Sequence, residues 1–473
     1  MGATEYDAIV VGSGPNGLAA AITLQQQGLR VLLIEGKEQV GGGMRTQELT
    51  LPGFQHDVCS AIHPLAASAP FFRSLPLEAY GLRLLHPEVL AAHPLADGSS
   101  VCLYRSLTDT AAQLGADEKK YLELMRPIVN NWDSLASDFL GPLKFPKKPL
   151  QLASFGRKAL QPATWLARSF TSERTAALFA GMAAHGIQPL TNWATSAIAL
   201  VLMGAGHVGG WPVVQGGSQG LADALLAYFL DKGGEFQAGW MVADLGELPA
   251  ATAVLFDTSP RQLLKIAGKE FSRLYTWQLN RYRYGMGVFK VDFALDGPVP
   301  WTSATARMAG TVHLGGTLSE IAASEAGLWK GIYPENPYVL VAQQSLADPH
   351  RAPQGKHTLW AYCHVPSGGD TDITEVVIRQ IEKQAPGFRK LILAKKSMNA
   401  SDYESYNPNY VGGDINVGVQ DIYQLFSRPA LRFSPYRSSA KGIYLCSSAT
   451  PPGGGVHGMC GFHAAKQVLH DLF

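Results

Sequence analysis

The stretch that most restricts this chain is DAIVV-GSGPNG-LAAAITLQQQG-LRVLLIE, Asp7 to Glu35. A short β-branched apolar run reads as a strand buried on both faces. Glycines follow, then Ala and Leu at helical spacing, then a second apolar strand ending in an acid. Gly12 permits the tight turn out of the first strand. Gly14 leaves room for a pyrophosphate against backbone, and Gly17 lets the helix approach the sheet. Ser13, Pro15 and Asn16 complete the turn, and the helix N-terminus offers free N–H groups to phosphate. Glu35, 18 residues after Gly17, is placed to accept hydrogen bonds from ribose hydroxyls. The unit is a dinucleotide site. The acid disfavours a 2′-phosphate, which leaves NAD and FAD.

A second GxGxxG, Gly204–Gly209 in GAGHVG, lacks the following Ala/Leu-rich helix and the acid-ended strand. It reads as a loop closing the apolar helix before it, so one dinucleotide site is expected. Net charge is +1 and no basic run stands out, which argues against nucleic acid as a partner. The five cysteines form no C-x-x-C pair, so neither a zinc ribbon nor a disulfide scaffold is expected, and a reducing compartment fits. No histidine set has metal-ligand spacing. The start, MGATEYDAIVVG, lacks the basic and apolar regions of a signal peptide. Ala194–Gly206 is apolar but shorter than the ~18–20 residues that span a bilayer. A cytoplasmic protein is the expectation, with peripheral membrane contact left open and oligomeric state unread.

Residues 76–210 read as helices broken by Pro142, Pro146, Pro149 and Pro162. VQGGSQGLADALLAYFL, KGGEFQAGWMV and AVLFDTSP read as a helix and strands returning to the nucleotide domain. YGMGVFKVDFAL, YVLVAQQSL and KHTLWAYCHV read as strands of another sheet. The division is a discontinuous nucleotide domain (1–75, 211–280, 425–473) and an inserted α+β substrate domain (76–210, 281–424).

VVGSGPNGLAAA, LIEGKEQVGGGMRT, VVQGGSQGLADAL and YLCSSATPPGGGVHGMCG together resemble the phytoene desaturase-like FAD-dependent oxidoreductases, within the superfamily of amine oxidases and Rab GDP-dissociation inhibitors. LPGFQHDVCSAIHPLA, RAPQGKHTLWAYCHVP and NPNYVGGDI add to the likeness, which covers the full length. The resemblance implies an α/β Rossmann-like FAD-binding domain of glutathione reductase/amine oxidase type, noncovalent FAD, and an apolar, isoprenoid- or lipid-like substrate oxidised or desaturated by hydride transfer to flavin N5. Oxygen, a quinone or another diffusible acceptor would reoxidise the flavin. Saturation or isomerisation without net oxidation, and a non-catalytic lipid-carrying role, are the alternatives.

The resemblance also extends the cofactor set. Gly36, Lys37, Gly42, Gly43, Met44, Arg45 and Thr46 follow the ribose acid, with Arg45 running along the pyrophosphate toward the flavin. Met241 and Val242 lie against adenine, Thr258 ends a domain strand, and Ser448, Gly455 and Val456 meet the flavin before the last helix. Ser447 and Thr450 supply hydroxyls where many relatives carry an acid. Candidate bases are His457, His364 and Tyr410. Asp57 and Cys59, after the GGGMRT loop, could also supply a base, and His63, His313, Trp360, Tyr362 and Asp414 are candidates for the substrate pocket. Cys460 and His463 could tether flavin covalently only against the pattern of the desaturases.

Overall fold

The computed structural model describes residues 5–473. The apolar run after Glu5 forms strand Tyr6–Val11, and LRVLLIE supplies Val31–Ile34, all four of whose residues are buried. Between them Pro15–Gln25 is helical, with Pro at its first turn, where a missing N–H costs nothing. Three later segments complete a parallel five-stranded sheet in the order Ile443–Leu445, Ala251–Phe256, Tyr6–Val11, Val31–Ile34, Glu235–Gln237. The register Val11↔Phe256 sets the end of the Ala251–Phe256 strand beside the glycine turn.

A second, seven-stranded sheet runs Ile392–Met398, Gly287–Leu295, His357–Val365, Val339–Ala342, Ala309–Leu314, Val89–Pro94, Ser100–Leu103. One face carries its own apolar cluster around Phe289, Phe293 and Trp301. The other face turns toward the nucleotide domain. Helices Glu173–Ala184 and Thr195–Gly209 pack beside it.

Two expectations need correction. Val89–Pro94 and Ser100–Leu103 are strands within a stretch read as helical. VLAAHP is alanine-rich, but burial on both faces and parallel pairing with Ala309–Leu314 make it a strand. Gly204–Gly209 is not a loop: it forms the last turns of the Thr195–Gly209 helix. Gly204 has no side chain because Trp132 lies 2.8 Å from where its Cβ would be. As expected, the PPGGG run precedes the last helix, which begins at Met459 with Gly458 as its cap.

Candidate functional site

Gly12 takes φ +101°, open to glycine, and its amide donates to Ile34 O at 2.8 Å. A Cβ on Gly17 would stand 1.9 Å from Gly12 O, so the helix can meet the turn only through a glycine there. Around this turn opens a cavity of about 1030 Å³, the upper end of the usual range for ligand pockets. It runs from Gly12–Asn16 and Glu35 past Gly42, Gly43 and Arg45 to the floor of the second sheet, where Thr311, Leu340, Trp360 and Tyr362 line it. Gly36, Lys37, Met241, Val242, Thr258, Ser448, Gly455 and Val456 line it too.

Glu35 accepts from Ser13 N–H at 3.1 Å, from the Ser13 hydroxyl at 2.5 Å and from Lys37 N–H at 3.0 Å. Arg45, expected to run along the pyrophosphate toward the flavin, lines the cavity, pairs with Glu35 at 3.1 Å and donates to the carbonyls of Gln39 and Gly42. Met44 is buried in the core off the cavity, and Gly17 also lies behind its wall. Thr46 is likewise off the lining: its hydroxyl donates to Asp57 Oδ1 at 2.8 Å.

The three nominated bases have different settings. His457 lines the cavity, but its Nδ1 accepts the Met459 amide at 3.0 Å and its Nε2–H donates to Gly453 O at 3.2 Å. Both nitrogens are spent on the turn, and burial lowers its pKa to about 4. His364 lies off the cavity, fully buried and bonded through Nδ1 to Glu325 at 2.7 Å. Tyr410 does line it, bonded to the Cys59 thiol, with burial holding its hydroxyl well above the usual range.

Among the pocket candidates, Trp360 and Tyr362 pack edge to face at 4.8 Å on the floor. Cys59 is also on the lining, and burial pushes its thiol up to about 11. His63 lines the cavity too. Its Nε2 donates to Ser218 Oγ at 2.8 Å, because that hydroxyl itself donates to Ser60 O, and Nδ1 is left as a buried acceptor. His313 sits one layer back, its Nε2 3.0 Å from that of His185, which lines the cavity. Asp414 is off the lining: its carboxylate accepts the amides of Gly285, Asn416 and Gly418 and pins their loops. Cys460 and His463 do not line the cavity; His463 is bonded to Leu140 O.

Among the lining residues that escaped the sequence reading are Asp257, His185, Trp211 and Arg428. Asp257 had a visible sign, as the acid that ends strand AVLFD in register with Gly12. Its Oδ2 accepts the Gly17 amide at 2.9 Å. Burial, helped by the Glu35 charge, raises its carboxyl to about 7.

Beneath the floor, Asp57 joins the two domains. It accepts from Thr46, from the Ser218 amide at 2.8 Å and from Arg351, with both ions of the Asp57–Arg351 pair fully buried. Burial pushes the Asp57 carboxyl up, but Arg351 and these bonds outweigh it and hold it below the usual range. Removing one partner strands the other charge, at about 3–5 kcal/mol. Arg351→Met is expected to lower stability by that amount at neutral pH, read by urea unfolding. Because the folded pKa of Asp57 is depressed, this contribution is lost as pH falls, and the wild-type and variant curves should converge in acid.

FAD fits these residues. Asn16 Oδ1, Thr258 Oγ1, Arg428 Nη1 and Trp360 Nε1 are buried without partners, and all four residues line the cavity. Gly42 lies so close to Gly14 that a Cβ on it would stand 2.9 Å from Gly14 Cα. These polar atoms could bond a ligand that spans from the dinucleotide turn to the floor, and small residues leave the backbone open at the turn. Among the described residues no cluster could hold a metal ion.

Residues 10–75 match the model of the NAD(P)-binding Rossmann-like domain. The chain is 28% identical to pyridine nucleotide-disulfide oxidoreductase domain-containing protein 2 of Mus musculus, over 99% of this chain and 94% of that one. It is 26% identical to all-trans-zeta-carotene desaturase of Myxococcus xanthus, over 95% and 90%. Cyclohexylamine oxidase from Brevibacterium oxydans superposes with TM-score 0.61 at 15% identity, covering 99% of each chain. The dinucleotide turn and the two-sheet architecture agree with these likenesses: the chain carries a NAD(P)-binding Rossmann-like domain, is similar over nearly its full length to an oxidoreductase-domain protein and a carotene desaturase, and shares its fold with an amine oxidase.

Proposed function

We propose that this enzyme holds FAD noncovalently and removes hydride from an apolar, isoprenoid- or lipid-like substrate, oxidising or desaturating it. FAD, when bound, supplies the hydride acceptor. Gly12–Asn16, Glu35, Thr258, Arg428, Ser448 and Gly455 would hold it. Cys460 and His463, the residues weighed as tethers, lie off the cavity, in keeping with noncovalent retention.

The observation that carries the substrate reading is where charge is missing. Among the described residues, the carboxylates that line the cavity are Glu35, Asp257 and Asp138. Glu35 and Asp257 belong to the dinucleotide turn, and Asp138 pairs with Lys144 at 3.8 Å. No carboxylate stands at the Trp360–Tyr362 floor to receive an ammonium group. The imidazoles lining the cavity are held neutral by burial: His63 and His457 are lowered to about 4 and His185 to about 3. An aromatic floor with no carboxylate at it suits an apolar chain, which Trp360, Tyr362 and Leu340 would orient while excluding water. His63 Nδ1 and the Tyr410–Cys59 pair are the polar atoms left to manage a proton. The carotene substrate named for the Myxococcus xanthus relative agrees with this chemistry. Electrons would leave to oxygen, a quinone or another diffusible acceptor, since Gly204–Gly209 closes a helix and builds no second dinucleotide turn.

Anaerobic incubation of FAD-loaded enzyme with a polyene panel and with primary amines tests this. Flavin bleaching with a polyene that emerges two hydrogens lighter is the expected result. Bleaching by amines alone would overturn the apolar reading. Unchanged product mass would mean isomerisation, and a gain of two hydrogens only after the flavin has been reduced with dithionite, with no desaturation by the oxidised enzyme, would mean saturation; either would overturn net oxidation.

A further inference from the structure

Large apolar side chains stand exposed at the mouth of the cavity. Leu143, Phe145 and Leu150 are 75%, 89% and 87% exposed on one side. Leu431 is 76% exposed and Phe433 fully so on the other. These come from two distant segments, yet Leu143, Leu431 and Phe433 all line the same cavity. Large apolar side chains scattered singly over a surface need no explanation, but a contiguous rim around an opening does. Beside it Trp165 and Trp193, both half-exposed, pack edge to face at 5.1 Å. The Ala194 amide bonded to Leu160 O at 2.8 Å keeps this pair next to the rim.

Charge says what covers the rim. Residues 139–172 contain Lys144, Lys147, Lys148, Arg157, Lys158 and Arg168 and no acid, in a chain whose net charge is only +1. Lys147, Lys148, Arg157 and Arg168 are exposed. Apolar side chains flanked by cations, with tryptophans at the margin, match the layers of an anionic bilayer surface. A second copy of the chain fits worse, because a twofold contact would set these cations against themselves. Among the described residues no helix is long and apolar enough to cross a membrane.

We propose that this rim docks onto anionic lipid, with Leu143, Phe145, Leu150, Leu431 and Phe433 dipping among the acyl chains and the 144–168 cations on the headgroups. Ala194–Gly206, which the sequence reads as a buried helix and only secondarily as a membrane-dipping one, packs inside, and the exposed apolar residues belong to other segments. The docking rests on this surface alone. That the mouth also draws its substrate from the bilayer rests on the apolar reading above.

Co-sedimentation of FAD-loaded protein with phosphatidylcholine vesicles, with and without phosphatidylserine, tests the docking without any substrate. Binding to the serine-containing vesicles is expected to be at least about tenfold tighter at low salt and to weaken as salt is added. Lys147→Gln/Lys148→Gln/Arg157→Gln should lose about a hundredfold on anionic vesicles, three cations at ~1 kcal/mol each. Phe145→Ser/Leu150→Ser/Phe433→Ser should lose binding to both vesicle types, with the flavin spectrum and melting temperature unchanged. Absence of binding to either vesicle would overturn the proposal. So would a dimer in light scattering that the same serine substitutions dissolve, since the rim would then be a self-contact. Vesicle binding combined with failure on every polyene would overturn the substrate reading and leave the docking standing.

Discussion

Gly461→Ala is expected to strip the enzyme of FAD although Gly461 lies outside the cavity. Gly461 sits in the first turn of the Met459–Leu472 helix, where a Cβ would be 1.7 Å from Asn16 O and 2.9 Å from Ala20 N. The contact is with backbone, so no side chain can turn aside. The two helices must separate by more than an ångström, and the Pro15–Gln25 helix carries the phosphate end of the site on its first turn. Overpacking a tight core contact costs about 1–3 kcal/mol and more where backbone is struck. Since about 2.8 kcal/mol is a hundredfold in affinity, the dissociation constant for FAD should rise about a hundredfold or more. Fluorescence titration of apoprotein with FAD reads this. Equal affinity would show that the two ends of the chain do not form one clamp.

Asp257→Asn is expected to act in the opposite direction. The wild-type carboxyl is raised from an ordinary 3.8 to about 7 by burial first and by Glu35 second, against the pull of the Gly17 and Gly14 amides. The folded chain therefore binds more protons than the unfolded one between about pH 4 and pH 7. Stability falls as pH rises through that window, by up to about 4 kcal/mol. Asparagine retains an acceptor for the Gly17 amide and removes the charge. The variant should lose this fall and be more stable than wild type above pH 7. It should also bind FAD about tenfold more tightly there, because a carboxylate no longer faces the phosphates. Calorimetry in two buffers of different ionisation enthalpy should show net proton uptake when wild type binds FAD, and less in the variant. Identical pH profiles of stability would contradict the assignment.

The nucleotide half of the protein was legible because its chemistry is local. Strand, glycine turn, helix and acid follow one another from Asp7 to Glu35, and the structure sets them in that order around the cavity. The substrate half was legible only in part. Gly287–Leu295 and His357–Val365 are long and β-branched or aromatic, while Val89–Pro94 hides behind two alanines, and one of its two partner strands lies over two hundred residues away. His457 shows the limit for sites. Its place at the cavity follows from the glycine run, but its tautomer is set by Met459 and Gly453 in a turn that sequence spacing does not display. His185 caps an ordinary-looking helix and reaches the cavity only through tertiary packing against Trp211 and His313. Gly461 likewise has no reason to be glycine until Asn16, from the other end of the chain, lies against it.

The central claim is that the cavity between the two sheets is an FAD site closed from both ends of the chain. The absorbance spectrum of the purified protein, followed by denaturation and analysis of what is released, tests it most directly. The account predicts a flavin spectrum, or its appearance on adding FAD, and release of intact FAD at about one per chain with nothing left on the polypeptide. A protein that stays colourless and neither takes up FAD nor alters its fluorescence would contradict it.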